Sequence, residues 1–180
     1  MFSDIEAILY ERAVIDERVK ELAAQVAAVY RDRPLVVAVT LKGAFVFAAD
    51  LVRHLPESIE IVFVRASSYG ASTSPEQEPE VELPAGFAWA GRQVLLVEDI
   101  VDTGRTVAAL RDAIRRAGAG AVRVCAFLDK PSRREVQVDV EFTGFTLQGD
   151  PFVVGYGLDF AERYRNLPFV GVLRPRTNSR

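Results

Sequence analysis

Val94-Leu95-Leu96-Val97-Glu98-Asp99-Ile100-Val101-Asp102-Thr103-Gly104-Arg105-Thr106 is the stretch on which the fold turns. Its four leading apolar residues predict a strand buried on both faces, as strands of parallel sheets are. Two carboxylates stand at the end of that strand, and Asp-Thr-Gly-x-Thr makes a short turn into a helix. In an open α/β sheet such a strand delivers its C-terminal end to the ligand crevice. The helix behind it adds free N–H groups and the positive end of its dipole, which suits a phosphate. Gly104 lets the backbone approach a ligand closely, and Thr103 and Thr106 contribute hydroxyl donors. Glu98, Asp99 and Asp102 would repel a lone phosphate, so the ligand must also carry groups that carboxylates bind. Sugar hydroxyls and a divalent cation are such groups, since magnesium takes carboxylate and phosphate oxygens together. The stretch therefore predicts a sugar phosphate. A helix cap at Asp102 or Thr103 would account for one acid and leave two adjacent acids at a buried strand end without a purpose. Neither a Walker loop nor a dinucleotide-binding glycine pattern is present.

Outward from this stretch, other strand ends repeat the arrangement. Leu35 to Thr40 is a β-branched apolar run ending in Leu41-Lys42-Gly43, ahead of an apolar helix from Ala44 to Leu55. A lysine there sets a compact positive charge beside free amides, suiting a second anionic group. Ala121 to Leu128 is a further buried strand, and it ends in Asp129-Lys130-Pro131. Between them Val107, Leu110, Ile114 and Ala117 line one helix face, Arg115 and Arg116 suit its last turn, and Gly118 stops it. Asp16 to Tyr30 predicts a covering helix with Asp16 as its cap, and Met1 to Ile15 carries an apolar set without a clear period, expected to pack at the domain edge. Phe87 to Arg92 is a short aromatic connector with Trp89 at the core edge, Val136 to Phe145 gives shorter alternating pieces, and Phe169 to Leu173 is a last strand. Ile59 to Ala66 alternates as a strand, and a polar segment with prolines and acids then runs from Ser67 to about Glu80. That segment cannot pack a core and is expected to be mobile. Repeated β-α units imply a parallel sheet flanked by helices, with the functional strand ends gathered at one edge. No repeat or linker interrupts the chain, so residues 1–180 are expected to form one domain with a flap at about 67–82.

Composition removes several function classes. At 49% hydrophobic and 26% charged the 180-residue chain resembles an ordinary soluble domain. No apolar run approaches the ~20 residues of a membrane helix, and the first ten residues include acids, so a cytoplasmic location is expected. The lone Cys125 cannot form an internal disulfide and reads as core. The single His54, late in an apolar helix, rules out histidine-based triads and multi-histidine metal sites. A net charge of -3 gives no general attraction to nucleic acid. The basic residues are 19 arginines and three lysines, Lys20, Lys42 and Lys130, so the two lysines at strand ends stand out.

Glu98-Asp99-Ile100-Val101-Asp102-Thr103-Gly104-Arg105-Thr106 resembles the phosphoribosyl-pyrophosphate (PRPP) signature of type I phosphoribosyltransferases. Val153-Val154-Gly155-Tyr156-Gly157-Leu158-Asp159 resembles the hypoxanthine-guanine branch. The resemblance extends from Ile15 to Leu173. It implies the type I fold: a central, mostly parallel sheet flanked by helices, a small hood from the N- and C-terminal segments, and a mobile flap. It also implies transfer of phosphoribose from PRPP to hypoxanthine or guanine with Mg2+, in a homo-oligomer, dimer or tetramer, without membrane or nucleic-acid partners. By the same resemblance, Glu98, Asp99, Asp102, Thr103, Gly104, Arg105 and Thr106 hold PRPP and its 5′-phosphate, Glu98 and Asp99 lying near the ribose hydroxyls. Asp102 is the acid-base residue at purine N7. Leu41, Lys42, Gly43 and Arg165 contact pyrophosphate, and Ser68 and Tyr69 begin the flap. Lys130 donates to the base O6, Phe152 stacks on the base, and the Val153 backbone bonds its edge. Glu98, Asp99 and Asp159 serve magnesium. Two departures stand out: Arg105 replaces a frequent lysine, and the flap lacks the usual Gly-Glu-x-Lys. Alternative readings are a PRPP enzyme for xanthine, adenine or orotate, or a non-catalytic nucleotide- and RNA-binding regulator of the same fold.

Overall fold

The computed structural model describes residues 4–31, 33–57, 59–67 and 79–174. Along the chain come β1 (Ile5–Tyr10), α1 (Arg12–Val29), β2 (Leu35–Thr40), α2 (Phe45–Val52), β3 (Ile59–Ser67) and β4 (Glu80–Glu82). Then follow β5 (Gln93–Val101), α3 (Arg105–Arg116), β6 (Ala121–Asp129), a 3₁₀ turn at Pro131–Arg133, β7 (Phe142–Thr146), β8 (Val153–Val154) and β9 (Val170–Leu173). The main sheet has the order β4-β3-β2-β5-β6-β7. Every pairing in it is parallel except β3 with β4. From β2 the chain steps one way to β3, then returns to the other side of β2 for β5 and steps onward to β6 and β7. The order therefore reverses between β2 and β5, and the crevice beyond the C-terminal ends of those two strands is where such sheets bind ligands.

The strands alternate between two cores. Val37 and Val39 of β2 and Leu95 and Val97 of β5 pack with Leu22, Phe47, Leu51 and Phe127 on the α1 and α2 side. Val36, Ala38, Val94 and Leu96 pack with Leu110, Ile114 and Trp89 on the α3 side. Burial on both faces is why these strands read as unbroken apolar runs. A second, antiparallel sheet of order β1-β9-β8 joins the N- and C-terminal segments. This is the expected α/β arrangement, with the smaller sheet as the hood.

Several local expectations are corrected. The helix expected from Asp16 begins at Arg12 behind Glu11, and Asp16 lies inside it, paired to Arg12 at 2.6 Å. The N-terminal apolar set is a strand, β1, whose six residues are mostly exposed and so carry little period. The helix expected over Ala44 to Leu55 is α2, ending at Val52, so His54 lies in the turn beyond it. Ala117 is the C-cap of α3 and is exposed, while Val107, Leu110 and Ile114 form its buried face. β5 continues through Glu98 and Asp99 to Val101, paired with β6 on either side of Asp99 at Glu98 and Ile100, so the two acids sit within the strand.

Candidate active site

The crevice is built first from the end of β5. Asp102 and Thr103 make the turn, and Gly104 opens α3 with φ 86°, a left-handed conformation that favours glycine. A Cβ at Gly104 would also stand 2.4 Å from the Val136 carbonyl. Gly104 gives α3 no side-chain cap, and the Arg105 amide donates to the Thr103 hydroxyl at 3.4 Å; a helix start of this kind can cradle an anion. The turn is fastened from behind. Thr103 O accepts from the Glu135 and Val136 amides at 2.9 and 3.0 Å. Arg134 donates to Asp102 O at 2.8 Å and pairs with Asp129, both side chains being largely buried. The Arg105 guanidinium pairs with Glu135 at 2.8 Å.

Glu98 is buried, and its Oε1 accepts from the Asp99 amide at 3.1 Å. Its Oε2 and the Thr40 hydroxyl are buried polar atoms without a hydrogen-bond partner among the described residues. Burial pushes the Glu98 carboxyl well above the usual carboxylate range, and the negative charge of Asp99 pushes the same way. Among the described residues no three histidine, cysteine or acidic side chains converge to hold one unaided. The adjacent Glu98 and Asp99 carboxylates, with Glu98 Oε2 unpartnered among the described residues, are a donor set that fits magnesium, which takes a few carboxylate oxygens and fills its shell with water and substrate oxygens.

The end of β2 meets the same point. The Leu41-Lys42 peptide is cis, and Gly43 packs against the carboxylate of Asp99. Gly157, φ 101°, packs on the Gly43 carbonyl, where a Cβ would stand at 2.2 Å. Asp99, Gly43 and Gly157 thereby bring three distant segments into one wall. Next to it Lys42 pairs with Glu162 at 3.1 Å. Arg165 pairs with Asp159 at 2.8 Å and donates to Gly157 O at 2.8 Å. Lys42, then Arg165, draw the Glu162 carboxyl below its usual range.

Across the crevice, Lys130 follows β6. Its amide donates to Val101 O at 2.9 Å, which sets it beside the β5 turn. Its side chain is 8% exposed, and the ammonium donates to Asp150 Oδ1 at 2.9 Å and Pro151 O at 2.8 Å. Phe152 is 53% exposed, edge-on to Phe160 with centroids 5.5 Å apart. Val153 is held in register by pairing with Val172. Ser68 and Tyr69 lie outside the described residues. The base of that segment is a short antiparallel pairing of Arg65, Ala66 and Ser67 with Glu82, Val81 and Glu80.

The phosphoribosyl transferase domain matches residues 6–161 of this chain. The chain belongs to the phosphoribosyltransferase family. It is 43% identical over 176 residues to the hypoxanthine-guanine phosphoribosyltransferase of Bacillus subtilis, covering 97% of each chain. To the hypoxanthine phosphoribosyltransferase of Escherichia coli it is 41% identical over 166 residues, 91% of this chain and 93% of that one. The crystal structure of a hypoxanthine phosphoribosyltransferase from Staphylococcus aureus superposes with a TM-score of 0.92 at 34% identity, covering 100% of this chain and 97% of that one.

In this phosphoribosyltransferase fold, sequence reasoning passed over Thr40, Arg133, Arg134, Asp150 and Glu162, all in contact with candidate residues. Thr40 is the last residue of an apolar run, and the arginines are hidden among 19 of their kind. Asp150 meets Lys130 and Arg133 from another segment, and Glu162 pairs with the distant Lys42 as well as with the nearby Arg165, so neither stands out by local pattern.

Proposed function

We propose that the chain transfers the 5-phosphoribosyl group of PRPP to hypoxanthine or guanine, forming the nucleoside monophosphate and pyrophosphate in purine salvage. The observation that carries this reading is a buried ammonium with a spare donor, Lys130, adjoining a phosphate turn that bears an acid, Asp102. The relatives named above support it.

The bond from C1′ to pyrophosphate breaks, a cationic ribose develops, and purine N9 bonds to C1′. The amides and hydroxyls of Asp102 to Thr106 bind the 5′-phosphate, and Glu98 and Asp99 bind the ribose hydroxyls. Leu41, Lys42, Gly43 and Arg165 hold the departing pyrophosphate. Asp102 takes the N7 proton as N9 bonds to carbon, work typically worth ~10² to 10⁴ in rate. Lys130 donates to O6, which a 6-amino purine cannot match with an acceptor. Phe152 stacks on the base and the Val153 backbone bonds its edge. Glu98, Asp99 and Asp159 are the residues that would hold Mg2+, which when bound neutralises the phosphate charges. Ser68 and Tyr69 begin a flap that shields the cation from water.

By the same reading residues 1–180 are one domain acting in the cytoplasm, where a multiply charged sugar phosphate is retained. The partner is a further copy of the chain, in a dimer or tetramer. Exposed Ile61 and Phe63 on β3 support association. Steady-state assays with PRPP and each of hypoxanthine, guanine, xanthine and adenine test the reading. Turnover of hypoxanthine or guanine is expected, and turnover of neither overturns it.

A further inference from the structure

Two half-exposed residues, neither of them among the candidate ligands above, link the acid of the site to its lysine. Arg133 Nε donates to Asp102 Oδ1 at 3.3 Å, and Arg133 Nη1 stands 3.5 Å from Asp150 Oδ2. Asp150 Oδ1 in turn accepts from Lys130 Nζ at 2.9 Å. The charges alternate along the chain Asp102, Arg133, Asp150, Lys130. The turn carrying Arg133 and the loop carrying Asp150 are tied a second time, by Ser132 Oγ donating to Gly149 O at 3.3 Å. Lys130 draws the Asp150 carboxyl below its usual range, with Arg133 adding to the effect.

We propose that Arg133 and Asp150 are positioning residues that hold Asp102 and Lys130 at the spacing of the N7 and O6 atoms of a 6-oxopurine. The inference rests on the roles given above to Asp102 and Lys130. An ammonium has three donors on a flexible four-carbon stem. Asp150 and the Pro151 carbonyl take two of them, which fixes the direction of the third. Arg133 takes one oxygen of Asp102 and leaves the other for the base. N7 and O6 occupy one edge of the purine, so a two-point contact depends on the separation of its two partners. Misplacement by even 1 Å is costly where a reacting atom must be aligned. A merely structural pair at half-exposed positions would change neither constant.

The test is steady-state kinetics of the full chain carrying Asp150→Ala, Arg133→Ala, both together, or Lys130→Ala. Loss of one partly exposed charge pair corresponds to about a five-fold effect. Asp150→Ala and Arg133→Ala are each expected to raise the hypoxanthine KM by about that factor, while the PRPP KM stays within about two-fold. The double variant is expected to be no worse than the poorer single, as members of one chain are not additive. Asp150→Glu and Arg133→Lys are expected to recover part of the loss. An unchanged hypoxanthine KM in both single variants, or an equal rise in both KM values, overturns the inference. Lys130→Ala separates the two levels. If it raises the hypoxanthine KM while Asp150→Ala and Arg133→Ala do not, this inference alone fails. If Lys130→Ala leaves that KM unchanged, the base-binding role of Lys130 fails, and this inference with it. Thermal unfolding of each variant identifies any that is not folded, and Asp150→Asn, which removes the charge at constant size, replaces a misfolded Asp150→Ala under the same criteria.

Discussion

Gly43 and Asp99 share one side-chain space: a Cβ on Gly43 would stand 1.6 Å from Asp99 Oδ2. The Asp99 carboxylate keeps its place beside the end of β2 because residue 43 has no side chain. Gly43→Ala must displace the Asp99 carboxylate or the Lys42 loop. The expected result is a PRPP KM raised about ten-fold or more with the far-ultraviolet spectrum unchanged, since a shift of about 1 Å at a reacting centre costs on that scale or beyond. An unaltered PRPP KM would show that the loop has slack.

Arg134 is a buried fastener of the phosphate turn, held by Asp129 and by the Asp102 carbonyl. Arg134→Ala leaves Asp129 without its cation, a loss typically worth about 3–5 kcal/mol. A large drop in the urea midpoint is expected. Arg134→Lys, which cannot serve two acceptors with a planar fork, is expected to recover only part. A midpoint equal to that of the unaltered chain would contradict this account.

Glu98 predicts a pH dependence of stability in chelator-treated protein. Its folded-state carboxyl is raised by burial, then by Asp99, so the folded chain holds this proton to higher pH than the unfolded chain does. With an acid raised in this way, the folded state binds more protons. Its stability is present below the ordinary carboxylate range and is lost as pH rises through the folded value. Stability is expected to fall as pH rises above the ordinary carboxylate range, a fall that Glu98→Gln flattens. Added magnesium is expected to offset the loss by pairing the ionised form. Parallel curves for the two proteins without metal would refute the assignment.

Asp102→Asn preserves size and the backbone contacts of the turn while removing the proton acceptor. Turnover is expected to fall by ~10² to 10⁴, with PRPP affinity by calorimetry nearly unchanged. Equal turnover would take Asp102 out of proton transfer.

The main sheet was legible because β2, β5 and β6 each carry an apolar run buried on both faces, Leu35–Val39, Val94–Val97 and Val124–Leu128. Lys42 and Lys130 were legible through scarcity, and Gly104 through its turn. β1 was not, since four of its six residues are exposed and its partners lie near residue 170. β8, two residues long, is defined by pairing with β9 rather than by any pattern of its own. The contact of Gly157 with Gly43 depends on two backbones meeting across 114 positions, which no local spacing encodes. Glu162, Arg133 and Asp150 are ordinary charges until their neighbours arrive.

The pairing of β9 between β1 and β8 also sets a timetable. Domains tend to form during synthesis as their parts emerge from the ribosome. Here the first strand waits for Val170–Leu173, and Lys130, Phe152 and Arg165 all arrive after the phosphate turn has been made. A chain ending before residue 170 lacks the strand that joins β1 to β8. The hood is thus closed by the last strand of the chain, after every residue of the candidate site has been made.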